Sequence, residues 1–176
     1  MRVYVETVLP CPPEMVWDEV QRPALLFEVI RPLFRFAPVD GPQFPERWLE
    51  GATVHGKGYL FGIIPLGTHT IFIERIDPVA REIQTRESEL LVRRWDHMVR
   101  VRPASKGQAH YSDEIIIEAG WVTLFVWLFA QWFYRHRQRR WRRVVRRLVA
   151  TEPAVAADGR PIRSQQEVKS SDGGRC

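Results

Sequence analysis

The sequence predicts an α+β domain: an antiparallel sheet, two short helices after the first strand, and one long helix at the C-terminal end. Three patterns carry this expectation. Arg2–Leu9 alternates in polarity and is rich in Val and Tyr, as a half-buried strand does. Residues 52–118 hold several strand-like segments joined by short turns, which favours antiparallel hairpins over parallel crossovers. From Trp121 to Leu148 neither Gly nor Pro interrupts the chain. The length of 176 residues, with 45% hydrophobic and 27% charged, suits one domain with a real core and excludes a wholly disordered chain.

The elements follow in order. Pro10, Pro12 and Pro13 end the first strand. Pro13 fits the first turn of a helix, and Glu14 suits the positive end of its dipole. Met15, Val16, Glu19 and Val20 continue that helix, and Ala24–Ile30 forms a second between Pro23 and Pro32. Leu33–Val39 is a strand that Pro38 weakens, and residues 40–51 form a loop. Ala52–Phe61 is a strand in which Gly56 and Gly58 imply a bulge or a close backbone approach. Gly62–Gly67 turns the chain into Thr68–Ile76, and Asp77-Pro78 turns it into Glu82–Glu89. Which face of these two strands points inward is ambiguous.

Arg93–Arg102 and Ala109–Glu118 flank a turn at residues 103–108. A tight loop centred near Ser105 sets His97 opposite Asp113, Val99 opposite Tyr111 and Trp95 opposite Ile115. One face then holds Trp95, His97, Val99, Val101, Ala109, Tyr111, Asp113, Ile115 and Ile117 and should face the interior. His97, Tyr111 and Asp113 are the polar groups on it. The final helix would run roughly 42 Å at about 1.5 Å per residue. Its first half, Trp121–Tyr134, is apolar nearly all round. Its second is amphipathic, with Trp141, Val144, Val145 and Leu148 on one stripe. The domain is expected to span 1–149, with 135–148 an Arg-rich helix extension and 150–176 a disordered tail.

Charge is concentrated. The net charge is +5 and the pI about 9.7. Yet residues 1–134 hold 14 Lys/Arg against 17 Asp/Glu, while 135–147 hold eight Arg and no acid. The basic character therefore describes the end of the helix. Cys11 and Cys176 make no disulfide framework and no secretory signal is visible, so a reduced cytoplasmic protein is expected.

The element order resembles the helix-grip fold of the SRPBCC (START/polyketide cyclase) superfamily. Trp95-Asp96-His97 with Asp113 on the next strand resembles the W-x-H…D signature of a ligand-binding branch. Gly62-Ile63-Ile64-Pro65-Leu66 resembles the turn before the middle strands there. Val99 replaces the second histidine of the W-x-H-x-H form. The resemblance covers about residues 2–148. It implies a curved sheet gripping the long helix around a hydrophobic cavity, and binding of lipids, sterols or other apolar molecules. It also implies, as an alternative, a cyclase, dehydratase or hydrolase.

His97 with Asp113 is the sharpest chemical pair, readable as a structural hydrogen bond, a ligand-orienting device or an acid–base site with His97 as general base. The expected ligand lining is Trp95, His97, Tyr111, Asp113, Trp121 and Phe125. No metal site or cofactor is expected, since no H-x-x-x-H or C-x-x-C pair occurs. Trp and Phe beside arginines suit an interfacial helix on anionic lipid at the inner face of the membrane. Arg135, Arg139, Arg140, Arg143 and Trp141 are its contacts; a homodimer through this helix is the rival. Spanning is disfavoured, because Glu118 and Gly120 interrupt the apolar run. Arg137, Arg140, Arg143 and Arg147 could follow a phosphate backbone. Nucleic acid is nonetheless disfavoured, since the rest of the chain is net acidic and carries no base-reading motif.

Overall fold

The computed structural model describes residues 1–41, 43–89 and 92–151; the expected tail beyond Thr151 and Cys176 lie outside them. Strand β1 (Arg2–Leu9) is followed by helices α1 (Pro13–Val20) and α2 (Pro23–Val29). Strands β2 (Phe34–Pro38), β3 (Thr53–Leu60), β4 (Ile64–Asp77), β5 (Glu82–Glu89), β6 (Val92–Pro103) and β7 (Ala109–Glu118) come next, and then helix α3 (Thr123–Thr151). All seven strands form one antiparallel sheet in the order β1-β7-β6-β5-β4-β3-β2. The first and last strands thus meet, and α3 returns across the inner face. This is the helix-grip architecture.

Local chemistry sets the elements. Both short helices carry Pro in the first turn, where no N–H partner is needed, and bury one side: Val16 and Val20 from α1, Leu25 and Val29 from α2. Gly120, with φ of 58°, redirects the chain after β7. Thr123 stitches the corner: its hydroxyl accepts from the Ala119 N–H (2.8 Å) and donates to the Gly120 carbonyl (2.7 Å). Helix α3 is tied to β1 at two levels. Trp127 Nε1 donates to the Arg2 carbonyl (2.7 Å) and Gln138 Nε2 to the Val5 carbonyl (2.8 Å).

The glycines of β3 act as the sequence suggested. The ladder with β4 slips between Gly58 and Tyr59, a bulge. A Cβ at Gly58 would sit 3.2 Å from the Phe36 ring, so the aromatic lies on bare backbone. Strand β4 begins at Ile64 and so absorbs part of the expected Gly62–Gly67 turn.

The β6–β7 register differs from the expected one. Val99 pairs with Asp113, His97 with Ile115, Trp95 with Ile117 and Val101 with Tyr111. The turn is looser: a 3-10 turn at Ser105–Gly107 places Lys106 and Gly107 at positive φ. The slip is two residues, so every side chain keeps its face. His97, Val99, Val101, Ala109, Tyr111, Asp113, Ile115 and Ile117 are all buried, and Trp95 is half-buried.

On β4 the ladder to β5 is irregular between Ile73 and Arg75. Ile71 and Ile73 are buried before the bulge, whereas Ile76 packs on the core after it. That change of parity is why alternation could not fix the facing of this strand. Glu74 turns outward to Arg86 (2.6 Å) and Gln84 (2.7 Å), while Glu87 turns inward.

Candidate functional site

Successive strands carry a polar row across the inner face: His69 on β4, Glu87 on β5, His97 on β6 and Asp113 on β7. His69 Nε2 lies 3.0 Å from Glu87 Oε2, and the Thr85 hydroxyl donates to Glu87 Oε1 (3.0 Å). His97 stands between two carboxylates, with Nδ1 3.6 Å from Glu87 Oε1 and Nε2 2.8 Å from Asp113 Oδ1. Asp113, fully buried, also accepts from the Tyr111 hydroxyl (2.8 Å) and from Gln138 Nε2 (3.1 Å). Helix α3 roofs the row with Tyr134, Arg137 and Gln138. The Arg137 guanidinium lies 4.9 Å over the Tyr134 ring, with Nη2 3.8 Å from Asp113 Oδ1.

Burial opposes every charge here, and partners reverse the balance for the carboxylates. Desolvation would raise Glu87, but hydrogen bonds and charge from His69 and His97 hold it well below the usual range. Desolvation would raise Asp113 too; the Arg137 charge and the His97 hydrogen bond hold it low. Burial would lower His97, but the Asp113 hydrogen bond and the neighbouring Glu87 carboxylate raise it. Tyr111 is raised well above its ordinary value, first by burial and then by the Asp113 charge. The cluster therefore holds Glu87 and Asp113 as anions near the Arg137 guanidinium, and the two carboxylates favour the protonated form of His97.

Two cavities meet at this row. A small one of about 60 Å³ is lined by His97, Val99, Tyr111, Asp113, Gln138 and Trp141 among others. A larger one of about 400 Å³ lies between α3, α2 and the sheet. Phe34, Phe36, Leu66, Val92, Trp95, Phe125, Phe129, Phe133 and Tyr134 are among its walls. The latter volume lies within the range of about 300–1,000 Å³ typical of small-molecule sites. Leu26, Ile71, Glu87 and Arg137 belong to both linings.

The expected lining residues are thus divided. Trp95 and Phe125 border the large cavity; His97, Tyr111 and Asp113 border the small one. Trp121 borders neither: it is 91% exposed at the corner before α3. Trp141 is no surface contact either. It is 2% exposed and packs edge-on against Tyr111, because it shares the buried stripe of α3 with Val144 and Val145. Arg137 leaves the expected phosphate-facing row, since it lies on that same buried stripe. Arg135, Arg139 and Arg143 are exposed, and Arg140 is half-buried.

Sequence reasoning missed Arg137 and Gln138 as site residues. The signal was present: Ala130, Phe133, Tyr134, Arg137, Gln138, Trp141, Val144 and Val145 follow the three-and-four spacing of one helix face. Two polar residues in that series imply an inward polar partner. Among the described residues no group of three or more His, Cys, Asp or Glu could hold a metal ion. Among them, too, no helix is long and apolar enough to cross a membrane.

Fold and site together define a helix-grip protein with an apolar cavity under its long helix. Solved structures share the architecture. A Chromobacterium violaceum protein matches with a TM-score of 0.66 at 14% identity, covering 82% of this chain and 96% of its own. A START superfamily protein from Mycobacterium smegmatis matches at 0.58 and 11% identity, covering 84% and 98%. A truncated norcoclaurine synthase from Thalictrum flavum matches at 0.58 and 15%, covering 86% and 94%. At these identities the likeness is one of fold. No curated protein matches the sequence. Residues 7–145 match the family described as "Domain of unknown function (DUF8410)", and the chain belongs to that family.

Proposed function

We propose that this protein binds a hydrophobic small molecule or lipid in the large cavity between the sheet and α3, without chemically altering it. The cavity of about 400 Å³ and its aromatic and aliphatic walls carry the reading. Several wall residues have one side in the cavity and another in water: Leu66 is 43% exposed, Phe125 68% and Phe129 37%. They form a mouth through which an apolar molecule can enter. Removing a ligand's apolar surface from water contributes about 25 cal/mol per Å². His97 is held between Asp113 at 2.8 Å and Glu87 at 3.6 Å inside the polar row, which supports a positioning role for the ring over the cyclase, dehydratase or hydrolase alternative. The test is titration with the uncharged fluorophore N-phenyl-1-naphthylamine. Saturable one-to-one binding is expected, and its absence would end the reading.

A second reading concerns where loading occurs, and one observation favours it. The outward stripe of α3 runs Phe125, Leu128, Trp132 and then Arg135, Arg139, Arg142, Arg146, all exposed, with Trp121 exposed at the corner before it. Phe125 of its apolar half lines the large cavity together with Leu60 and Leu66, which flank the exposed Phe61, Ile63 and Ile64 of the β3–β4 turn. An apolar patch next to a cationic one is the pattern of a surface that rests on anionic lipid. Co-sedimentation with phosphatidylglycerol vesicles, but not with phosphatidylcholine vesicles, is the expected result. A self-associating chain that ignores both would assign the stripe to a homodimer.

A further inference from the structure

Arg137 is a buried cation whose N–H donors the fold leaves without an acceptor. It is 8% exposed, yet among the described residues it makes no hydrogen bond. Asp113 lies 3.8 Å away, beyond hydrogen-bond reach, and the Tyr134 ring offers only a face. A guanidinium has five N–H donors in a fixed fork, and burying them without acceptors is costly. Its Nε is fully enclosed and unpartnered, as is Trp141 Nε1 in the wall of the small cavity. Arg137 itself belongs to the linings of both cavities.

We infer that Arg137 is the polar anchor of the binding site, and that the ligand is an apolar molecule ending in an uncharged oxygen acceptor such as a ketone or ester carbonyl. The inference rests on the binding reading above and specifies the ligand class. The chain's apolar body occupies the large cavity, and its oxygen reaches inward to the guanidinium at the junction with the small one. Geometry selects the uncharged class. The buried Asp113 carboxylate already lies 3.8 Å from the guanidinium and Glu87 shares both linings with Arg137, so a ligand carboxylate would bring a third anion into the same buried space. A carbonyl oxygen accepts the Arg137 N–H bonds and adds no charge.

The experiment uses the full chain and matched twelve-carbon probes: 2-dodecanone, dodecanoic acid and dodecane, each displacing N-phenyl-1-naphthylamine at pH 7. The ketone is expected to bind about 10- to 100-fold more tightly than the alkane, the range for a hydrogen bond to a charged group. It is also expected to bind more tightly than the acid. Arg137→Met should reduce the ketone's advantage over the alkane to less than threefold while still binding the fluorophore. Equal affinity for ketone and alkane in the native chain would overturn Arg137 as anchor and leave the apolar binder standing. Tighter binding of the acid would overturn the uncharged class. Failure of the fluorophore to bind at all would overturn the binding reading and this one with it. The native-chain comparison decides the matter even where Arg137→Met folds poorly.

Discussion

Asp113→Asn tests the buried cluster most directly. The substitution keeps size and shape but removes one negative charge at a fully buried position. In the native protein that carboxylate accepts from His97, Tyr111 and Gln138 and faces Arg137. The amide keeps one acceptor oxygen and turns an NH₂ toward donors. Hydrogen bonds to charged groups contribute about 1.5–3 kcal/mol against about 0.5–1.5 for neutral ones. Breaking one partner of a buried ion pair costs about 3–5 kcal/mol, because the opposite charge is left uncompensated. Asp113→Asn should therefore lose about 3–5 kcal/mol in urea denaturation at pH 6. For a chain of this size that is a fall in Tm of roughly 6–20 °C. The His97 ring should titrate at lower pH in the variant, because the strongest hydrogen bond raising it is gone. Tyr111→Phe, which removes one neutral donor to the Asp113 carboxylate, should cost about 1.5–3 kcal/mol. A loss below about 1 kcal/mol for Asp113→Asn, with the His97 titration unmoved, would refute the ionic account of the cluster.

Other outcomes follow from the same geometry. Glu87 and Asp113 are depressed, so their stabilisation is present above ordinary carboxylate values near 4 and fades as pH falls through the folded values. His97 is raised, so its stabilisation is complete below about 6.5 and fades as pH rises through the folded value. Urea midpoints should peak between roughly pH 4.5 and 6.5, and a midpoint that climbs from pH 6.5 to 9 would contradict the His97 assignment. Gly58→Val drives side-chain atoms against the Phe36 ring and should cost about 1–3 kcal/mol by thermal melting; a neutral result would mean the ring moves freely. Trp132→Glu, on the outward stripe, should leave stability within about 0.5 kcal/mol but abolish sedimentation with anionic vesicles, and unchanged sedimentation would discard the membrane reading.

The fold was legible because its signals are periodic and local. Alternation defined β1 and β7 to the residue, turn signals bounded β5, and prolines bounded α1 and α2. The β6–β7 register was not fixed by sequence. Positive φ at Lys106, a non-glycine, widens the turn in a way composition does not announce. Even so, a two-residue slip preserves faces, and His97 still reaches Asp113, on the diagonal instead of directly across. The inward facing of Glu87 was illegible for another reason. Bulges near Glu74 and Ser88 interrupt both ladders of β5, and a bulge changes strand parity without a composition signal of its own.

The site was harder to read because its parts are polar residues in apolar series. Arg137 sits in a block of eight arginines, and the charge of its neighbours hides its position on the buried stripe. An interior built only for stability would gain from apolar residues there, since replacing a buried ionic cluster by packed hydrophobics is often neutral or favourable. His97, Asp113 and Gln138 satisfy one another, so their presence is consistent with a structural role that fixes α3 on β1 and β7. Arg137 is different, because nothing in the row accepts its donors. A mutual network explains the three and leaves the fourth facing the cavities. The polar row is therefore best understood as two devices that share Asp113: a lock that seats the long helix, and a donor held at the inner end of an apolar chamber.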